Sequence, residues 1–396
     1  MRVLMLSWEY PPNIVGGLGR HVAELSPALA QQQNVVHVVT PVSSVELASV
    51  SEENGVVVHR VFTPALDKPV NIYEQAVEAN QTLAEYALQL AEPFDVIHVH
   101  DWLTSFAGLY LQKAWHRPLV ATIHATERGR GQGHIANDLQ QAIDKAERDL
   151  IEQASHIIVC SRYMSNEVQA FFHTPPQRLD VVFNGVNIAE LRNGSTPDQL
   201  ASFRAKYAAL DEPIVFAVAR LVYQKGLHQL VAAAPRILAK CPRSRVIIAG
   251  KGPEADHLAQ QAFYLGVTDR VKFVGFISDK ERNYFYRTAA CAVFPSLYEP
   301  FGIVALEAMA LGCPVVVSDV GGLGEIVGHL DTGVTVYPNN AESVAWGVLH
   351  ILTHPDQAHV YAANAYHSVE DLYNWSRIAR LTTGVYRRVV EKYTFG

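Results

Sequence analysis

Short apolar runs alternate with longer segments of helical period along nearly the whole chain, and this alternation limits the fold more than any other feature. Residues 2–7, 35–40, 56–61, 95–99, 119–123, 156–159 and 179–183 are rich in Val, Ile and Leu and read as buried strands. Helical periods fill much of 73–91, 103–114, 137–153 and 162–172. Another helix places Leu18, Val22, Leu25 and Leu29 on one face; Pro27 inside it predicts a kink, or order in the first turns only. A polar stretch, 188–212, carries Asn193-Gly194-Ser195 and Pro197 and reads as a linker with one helix. The series then restarts, with strands at 214–219, 246–249, 271–274, 291–294, 314–317 and 333–337 and a helix at 341–352. Strands that alternate with helices of this length predict an α/β fold, its parallel sheets covered on both faces. A length of 396 residues makes room for two or three such cores.

In sheets of this kind ligands bind outside the carboxyl ends of the strands, so the residues just after each strand matter most. After the first strand comes WEYPPNIVGGLGR, with Glu9 and the pair Gly16-Gly17 at a helix entry, where backbone approaches a ligand closely. His100-Asp101-Trp102 follow the 95–99 strand. His124, Glu127, Arg128 and Arg130 follow 119–123, and Asn184-Gly185 follow 179–183. A metal at His98, His100, Asp101 and His124 is not expected, because the spacing lacks an acidic partner pattern. His98 reads instead as a core histidine with satisfied nitrogens. In the second series Arg220 ends the 214–219 strand and Lys225 opens the next helix, two cations able to neutralise a diphosphate. Gly250-Lys251-Gly252-Pro253 lacks the third glycine of a dinucleotide fingerprint, which argues against a dehydrogenase.

The densest stretch is SLYEPFGIVALEAMALGCPVVVSDVGGLGEI, residues 296–326. Pro300 suits a first turn, so a helix is expected to begin at Phe301 or Gly302 and stop at Gly312. A helix start after a strand end offers free N–H groups to an anion such as phosphate. Glu299 lies before that start and Glu307 more than one turn inside it. Carboxylates are strong acceptors from sugar hydroxyls, so the pair suits a ligand with a sugar at each end of a pyrophosphate.

Glu299-Pro300-Phe301-Gly302 with Glu307-Ala308 resembles the E-x7-E motif of retaining glycosyltransferases of the GT-B fold, in particular family GT4. ARLVYQKG around Arg220 and Lys225, the Gly16-Gly17 loop and the Gly321-Gly322 turn are similar to the same family. The likeness to glycogen synthases is looser, since Ile14 stands where those have a lysine. The resemblance implies two Rossmann-like domains facing a central cleft. Residues 1–190 would form the acceptor domain, with helix 375–396 packing back on it, and 191–374 the donor domain. It implies hexose transfer with retention from a nucleoside-diphosphate sugar, UDP-glucose by family habit, to a saccharide or glycolipid hydroxyl, with no metal and no cofactor. His124, Arg220, Lys225 and Glu299 would be catalytic. Gly16, Gly17, Asn184, Gly252, Phe276, Pro300, Phe301, Gly302, Ile303, Val304 and Glu307 would bind the donor, and Glu9, Asp101 and Arg128 the acceptor.

The alternatives are a sugar-nucleotide 2-epimerase, a phosphorylase, for which no pyridoxal-phosphate lysine context is visible, and a non-catalytic sugar-nucleotide-binding protein. A net charge of −7 argues against a nucleic-acid partner. Nothing approaches the ~20 apolar residues of a membrane span. No secretory signal is visible and cysteines are few, so a cytoplasmic protein is expected, with peripheral membrane contact left open.

Overall fold

The computed structural model describes residues 1–90 and 93–395. These form two compact units, Met1–Gly185 with the C-terminal helix from Trp375, and Val186–Asn374. The first division falls at Gly185/Val186, five residues before the 190/191 boundary read from the sequence.

The N-terminal unit is built on eight strands: β1 Arg2–Leu6, β2 Val35–Val42, β3 Ser49–Glu53, β4 Val56–Phe62, β5 Val96–His100, β6 Leu119–Ile123, β7 His156–Val159 and β8 Leu179–Val181. Their order is β3-β4-β2-β1-β5-β6-β7-β8, and every pairing is parallel except β3 with β4. The chain winds outward from β1 on one side and from β5 on the other. The β1/β5 boundary is therefore the switch point, where loops diverge and leave a crevice. Helix Gly17–Gln31 runs through Pro27 as one element, so the expectation of order in its first turns only does not hold. Val22, Leu25 and Leu29 are buried beside Ile378, Val385, Tyr386 and Val389 of helix Trp375–Phe395. That apolar interlock ties the end of the chain to this unit. Helix Ile72–Leu88 stops short of the expected end; residue 91 lies outside the described residues, as does Gly396.

The C-terminal unit has six parallel strands: β9 Ile214–Val218, β10 Arg245–Ala249, β11 Val271–Gly275, β12 Cys291–Phe294, β13 Val315–Ser318 and β14 Val334–Val336. Their order is β11-β10-β9-β12-β13-β14, with the switch point between β9 and β12. Leu227, Leu230, Val231 and Ala234 on helix Leu227–Lys240 are buried against Val215, Val246 and Val293, in a core separate from that of the other unit. The stretch 188–212 holds two helices rather than one, Ile188–Arg192 and Pro197–Ala205; a capping box between Thr196 and Gln199 starts the second. No helix among the described residues is long and apolar enough to cross a membrane.

Candidate active site

In the C-terminal unit four loops meet at the carboxyl edge of the sheet. The loop after β9 carries Arg220 and Lys225; the loop after β12 carries Ser296–Gly302. They are joined through the backbone, Leu297 N–H donating to Gln224 O at 2.8 Å. A side chain at Gly226 would lie 1.9 Å from the Pro295 carbonyl oxygen, so only glycine permits this approach. The loop after β10 closes on the other side of β9, where Leu221 N–H donates to Lys251 O at 2.9 Å. Gly252 there touches backbone at Leu221, so it reads as a packing glycine; a Cβ would sit 2.3 Å from the Leu221 oxygen.

The Lys225 ammonium donates to Glu299 Oε2 at 2.7 Å, and Ser296 Oγ lies 3.2 Å from the same oxygen. Both charged side chains are largely buried, so the pair is well screened from water. Both of these side-chain contacts fall on Oε2 rather than Oε1. Arg220 is exposed at the end of β9 and makes no ion pair with the described residues.

The helix expected from Phe301 or Gly302 begins at Ile303. Gly302 is its N-cap with φ +109°, a left-handed turn that Pro300 and Phe301 lead into. The amides with no partner inside the helix are therefore those of Ile303 and Val304, since Ala305 N–H already reaches Gly302 O at 2.9 Å. At the far end, Cys313 N–H donates to Ala308 O and Gly312 N–H to Met309 O, a Schellman closure with Gly312 at φ +73°. The helix thus ends at Ala310, two residues before the expected stop. Glu307 is buried, its Oε2 3.2 Å from Arg282 Nε, a partner the sequence did not suggest. Phe276 is exposed at the end of β11, its ring open to a stacking partner.

The loop after β13 braces this arrangement. Gly322 N–H donates to Glu299 O at 2.9 Å, and a Cβ on Gly321 would sit 2.0 Å from that same oxygen. Gly321→Ala is therefore expected to displace the Glu299–Phe301 turn and lower kcat/KM about 100-fold. Gly312→Ala carries the same left-handed backbone strain with open space around it, and should leave kcat/KM within a few-fold. Steady-state kinetics on the two variants separate collision from strain.

In the N-terminal unit the loops after β1, β5, β6 and β8 gather around β1 and β5. Four residues expected to face a ligand are occupied internally instead. Glu9 Oε2 accepts from the Val15 and Gly16 amides, both at 2.9 Å, so its carboxylate shapes the glycine loop. Gly16 is the N-cap of the helix that Gly17 opens. Arg128 grips Asp144 through two bonds, 2.6 and 2.9 Å, which turns it from an acceptor contact into a clamp between its loop and helix Asp138–Gln153. Asn184 is buried with Oδ1 on His21 Nδ1 at 2.7 Å.

Asp101 is the fourth. It is buried, and its Oδ1 accepts the His124 N–H at 2.6 Å. Its backbone lies at φ +57°, ψ −176°, a region that L residues rarely enter. Burial raises its carboxyl to about 6, against the opposing pull of Arg130 and of the His124 and Ala125 amides. Asp101 therefore positions the His124 backbone. The His124 ring is half-buried, and its Nε2 lies 3.1 Å from His100 Nδ1. Burial, helped by Arg130, lowers His124 to about 3, so the imidazole is neutral at physiological pH. His98 bonds Tyr386 Oη at 2.6 Å and Thr122 Oγ1 at 2.7 Å, a satisfied core residue as its position suggested. His21 and Glu147 escaped the sequence reading. His21 and Ser26 are the polar residues on the buried stripe of their helix, and the imidazole there was the available signal; Glu147 is buried and takes the Glu127 N–H on both oxygens.

Residues 15–190 match Glycosyltransferase Family 4, and residues 199–368 match Glycosyl transferases group 1. An uncharacterised glycosyltransferase of Methanocaldococcus jannaschii is 37% identical over 392 residues, 99% of each chain. The chain belongs to glycosyltransferase family 4. The glycogen synthase of Mycobacterium tuberculosis is 34% identical, over 98% of this chain and 94% of that one. Ile14 thus does not separate this glycosyltransferase from enzymes bearing the glycogen synthase name. The solved structure of sucrose-phosphate synthase from Thermosynechococcus elongatus superposes with a TM-score of 0.82 at 26% identity, over 99% of this chain and 100% of that one. The fold is GT-B, with the α/β architecture that the strand–helix alternation predicts.

Proposed function

We propose that this enzyme transfers a hexose, glucose in the first instance, from a nucleoside-diphosphate sugar to a saccharide hydroxyl, with retention at the anomeric carbon. The observation that carries the reading is the buried Lys225–Glu299 pair, set at the β9/β12 switch point beside the unpaired amides of Ile303 and Val304. A carboxylate alone would repel a diphosphate. Tied to a lysine and flanked by Arg220 and a helix start, it becomes a sugar-hydroxyl acceptor inside an anion-binding frame.

In this reading Lys225, Arg220 and the two amides stabilise the charge that develops on the departing diphosphate. That is the service a divalent ion gives in other phosphate enzymes, so the transfer step here needs none. Glu299 Oε1 holds a hexose hydroxyl and Glu307, oriented by Arg282, the ribose. His124 offers a neutral ring to a sugar hydroxyl and, with its N–H fixed by Asp101, a fixed backbone carbonyl. The relative named glycogen synthase makes an α-glucan the first acceptor to try.

The test incubates UDP-glucose or ADP-glucose with maltooligosaccharides and reads the new linkage by NMR. An α linkage from the α donor is expected. A β linkage overturns retention. Donor rearranged without acceptor identifies an epimerase, and stabilisation by nucleotide sugar with no turnover identifies a binding protein.

A further inference from the structure

The N-terminal unit contains a cluster of imidazoles of which the transfer reading uses His124 and leaves His21 and His100 without a role. One nitrogen from each of His21, His100 and His124 lies within 4.8 Å of the others. His21 and His100 are 3% and 0% exposed, so their ring atoms have little access to solvent. Nε2 of each is buried with no hydrogen-bond partner among the described residues. A single buried nitrogen left unmade is costly; two in one cluster call for a shared ligand. We infer that His21, His100 and His124 form a three-imidazole site for a transition-metal ion of the zinc type.

The surroundings favour that ligand over others. Asn184 Oδ1 accepts from His21 Nδ1 at 2.7 Å, which puts the proton on Nδ1 and leaves the Nε2 lone pair facing the cluster. A carbonyl-type partner on the far nitrogen is the usual outer support of a metal-bound histidine. His98 packs against His100 with ring centroids 4.3 Å apart and the planes tilted by 40°, restricting the His100 ring. Nitrogens bonded tetrahedrally at 2.0–2.1 Å lie about 3.3 Å apart, so rings whose nitrogens are within 4.8 Å of one another need to close by up to about 1.5 Å. Neutral imidazoles suit zinc, copper or nickel; magnesium and calcium require oxygen ligands that this cluster does not offer. Three ligands leave a fourth position for water.

A metal held here takes the His124 ring away from any sugar, so it opposes transfer. That consequence rests on the function proposed above, whereas the binding does not, and binding is what the experiment measures. Chelator-stripped full-length protein, free of nucleotide sugar, is titrated with Zn²⁺ by calorimetry and with Co²⁺ by visible absorption. One equivalent is expected, with the intense bands of four-coordinate cobalt and no thiolate charge-transfer band. His100→Gln and His124→Ala should each weaken binding at least about 100-fold, and Asn184→Ala about 10-fold to 100-fold. His354→Ala is the control, because His350 and His354 on the exposed face of helix Ala341–Thr353 and just beyond it form a competing surface pair, ring centroids 4.8 Å apart. Circular dichroism of the metal-free variants checks folding. If His100→Gln does not fold, the half-buried His124 variant decides. No binding by the unaltered protein, which is the result if a water bridges the rings, overturns the inference. So does binding that His354→Ala abolishes, or that His124→Ala leaves intact.

Discussion

Lys225→Ala is expected to lower turnover about 100-fold to 1,000-fold at saturating donor, the ~2.7–4 kcal/mol typical of one lost donor at a site of developing charge. The structure adds a second effect. Lys225 is the cation that balances Glu299, 2.7 Å away and largely buried. Removing the ammonium leaves that carboxylate with Ser296 as its remaining side-chain partner, so the variant also loses stability and the Glu299 turn loosens. A pure binding lysine would raise KM and spare kcat; a residue acting on the transition state lowers kcat and kcat/KM together. Lys225→Arg tests geometry apart from charge, because a planar guanidinium reaches Glu299 differently and does not replace a point charge on phosphate. It should recover the melting temperature more fully than the turnover. Near-normal kcat for Lys225→Ala would sink the proposed role.

How far the chain could be read in advance depended on where the partner of each residue lay in sequence. Leu119–Ile123 and His156–Val159 emerge with the bounds their apolar runs imply, because a strand buried on both faces writes its own limits. Ser49–Glu53 could not be found that way. It is a polar edge strand, exposed over much of its length, and its only pairing among the described residues is antiparallel to β4. Helix Pro355–Leu372 was equally faint. Within the site, Lys225, Glu299 and the Gly321-Gly322 turn were legible because a local motif marks them. Glu9, Arg128 and Asn184 were legible as polar residues at strand ends, but not as residues already engaged. Asn184 meets His21 across 163 positions, and Arg128 meets Asp144 across 16, on the next helix. Nothing local announces such a partner. Leu381 shows the same limit on an amphipathic helix: it shares a stripe with Ile378 and Val385, yet it is exposed while they are buried.

Glu307→Ala is expected to cost the C-terminal unit about 3–5 kcal/mol, measured by denaturant unfolding. The sequence alone pointed to a ribose contact, and hence to an effect on donor affinity. The structure puts stability first. Glu307 and Arg282 face each other at 3.2 Å with side chains 5% and 8% exposed, so deleting the carboxylate strands a guanidinium in the interior. Arg282 keeps one other anion, Asp279 at 2.7 Å, but that side chain is mostly in solvent and compensates weakly. The effect therefore falls toward the lower end of the range. Glu307→Gln keeps the shape and a hydrogen-bonding oxygen, and should cost less. The decisive variant is the double replacement Glu307→Met with Arg282→Met. Swapping a buried ion pair for apolar side chains of similar volume is often neutral or stabilising, so the double variant should regain most of the stability that Glu307→Ala loses. It should not regain donor affinity if Glu307 meets the ribose. A double variant that is both stable and normal in donor binding would leave Glu307 a purely structural anion.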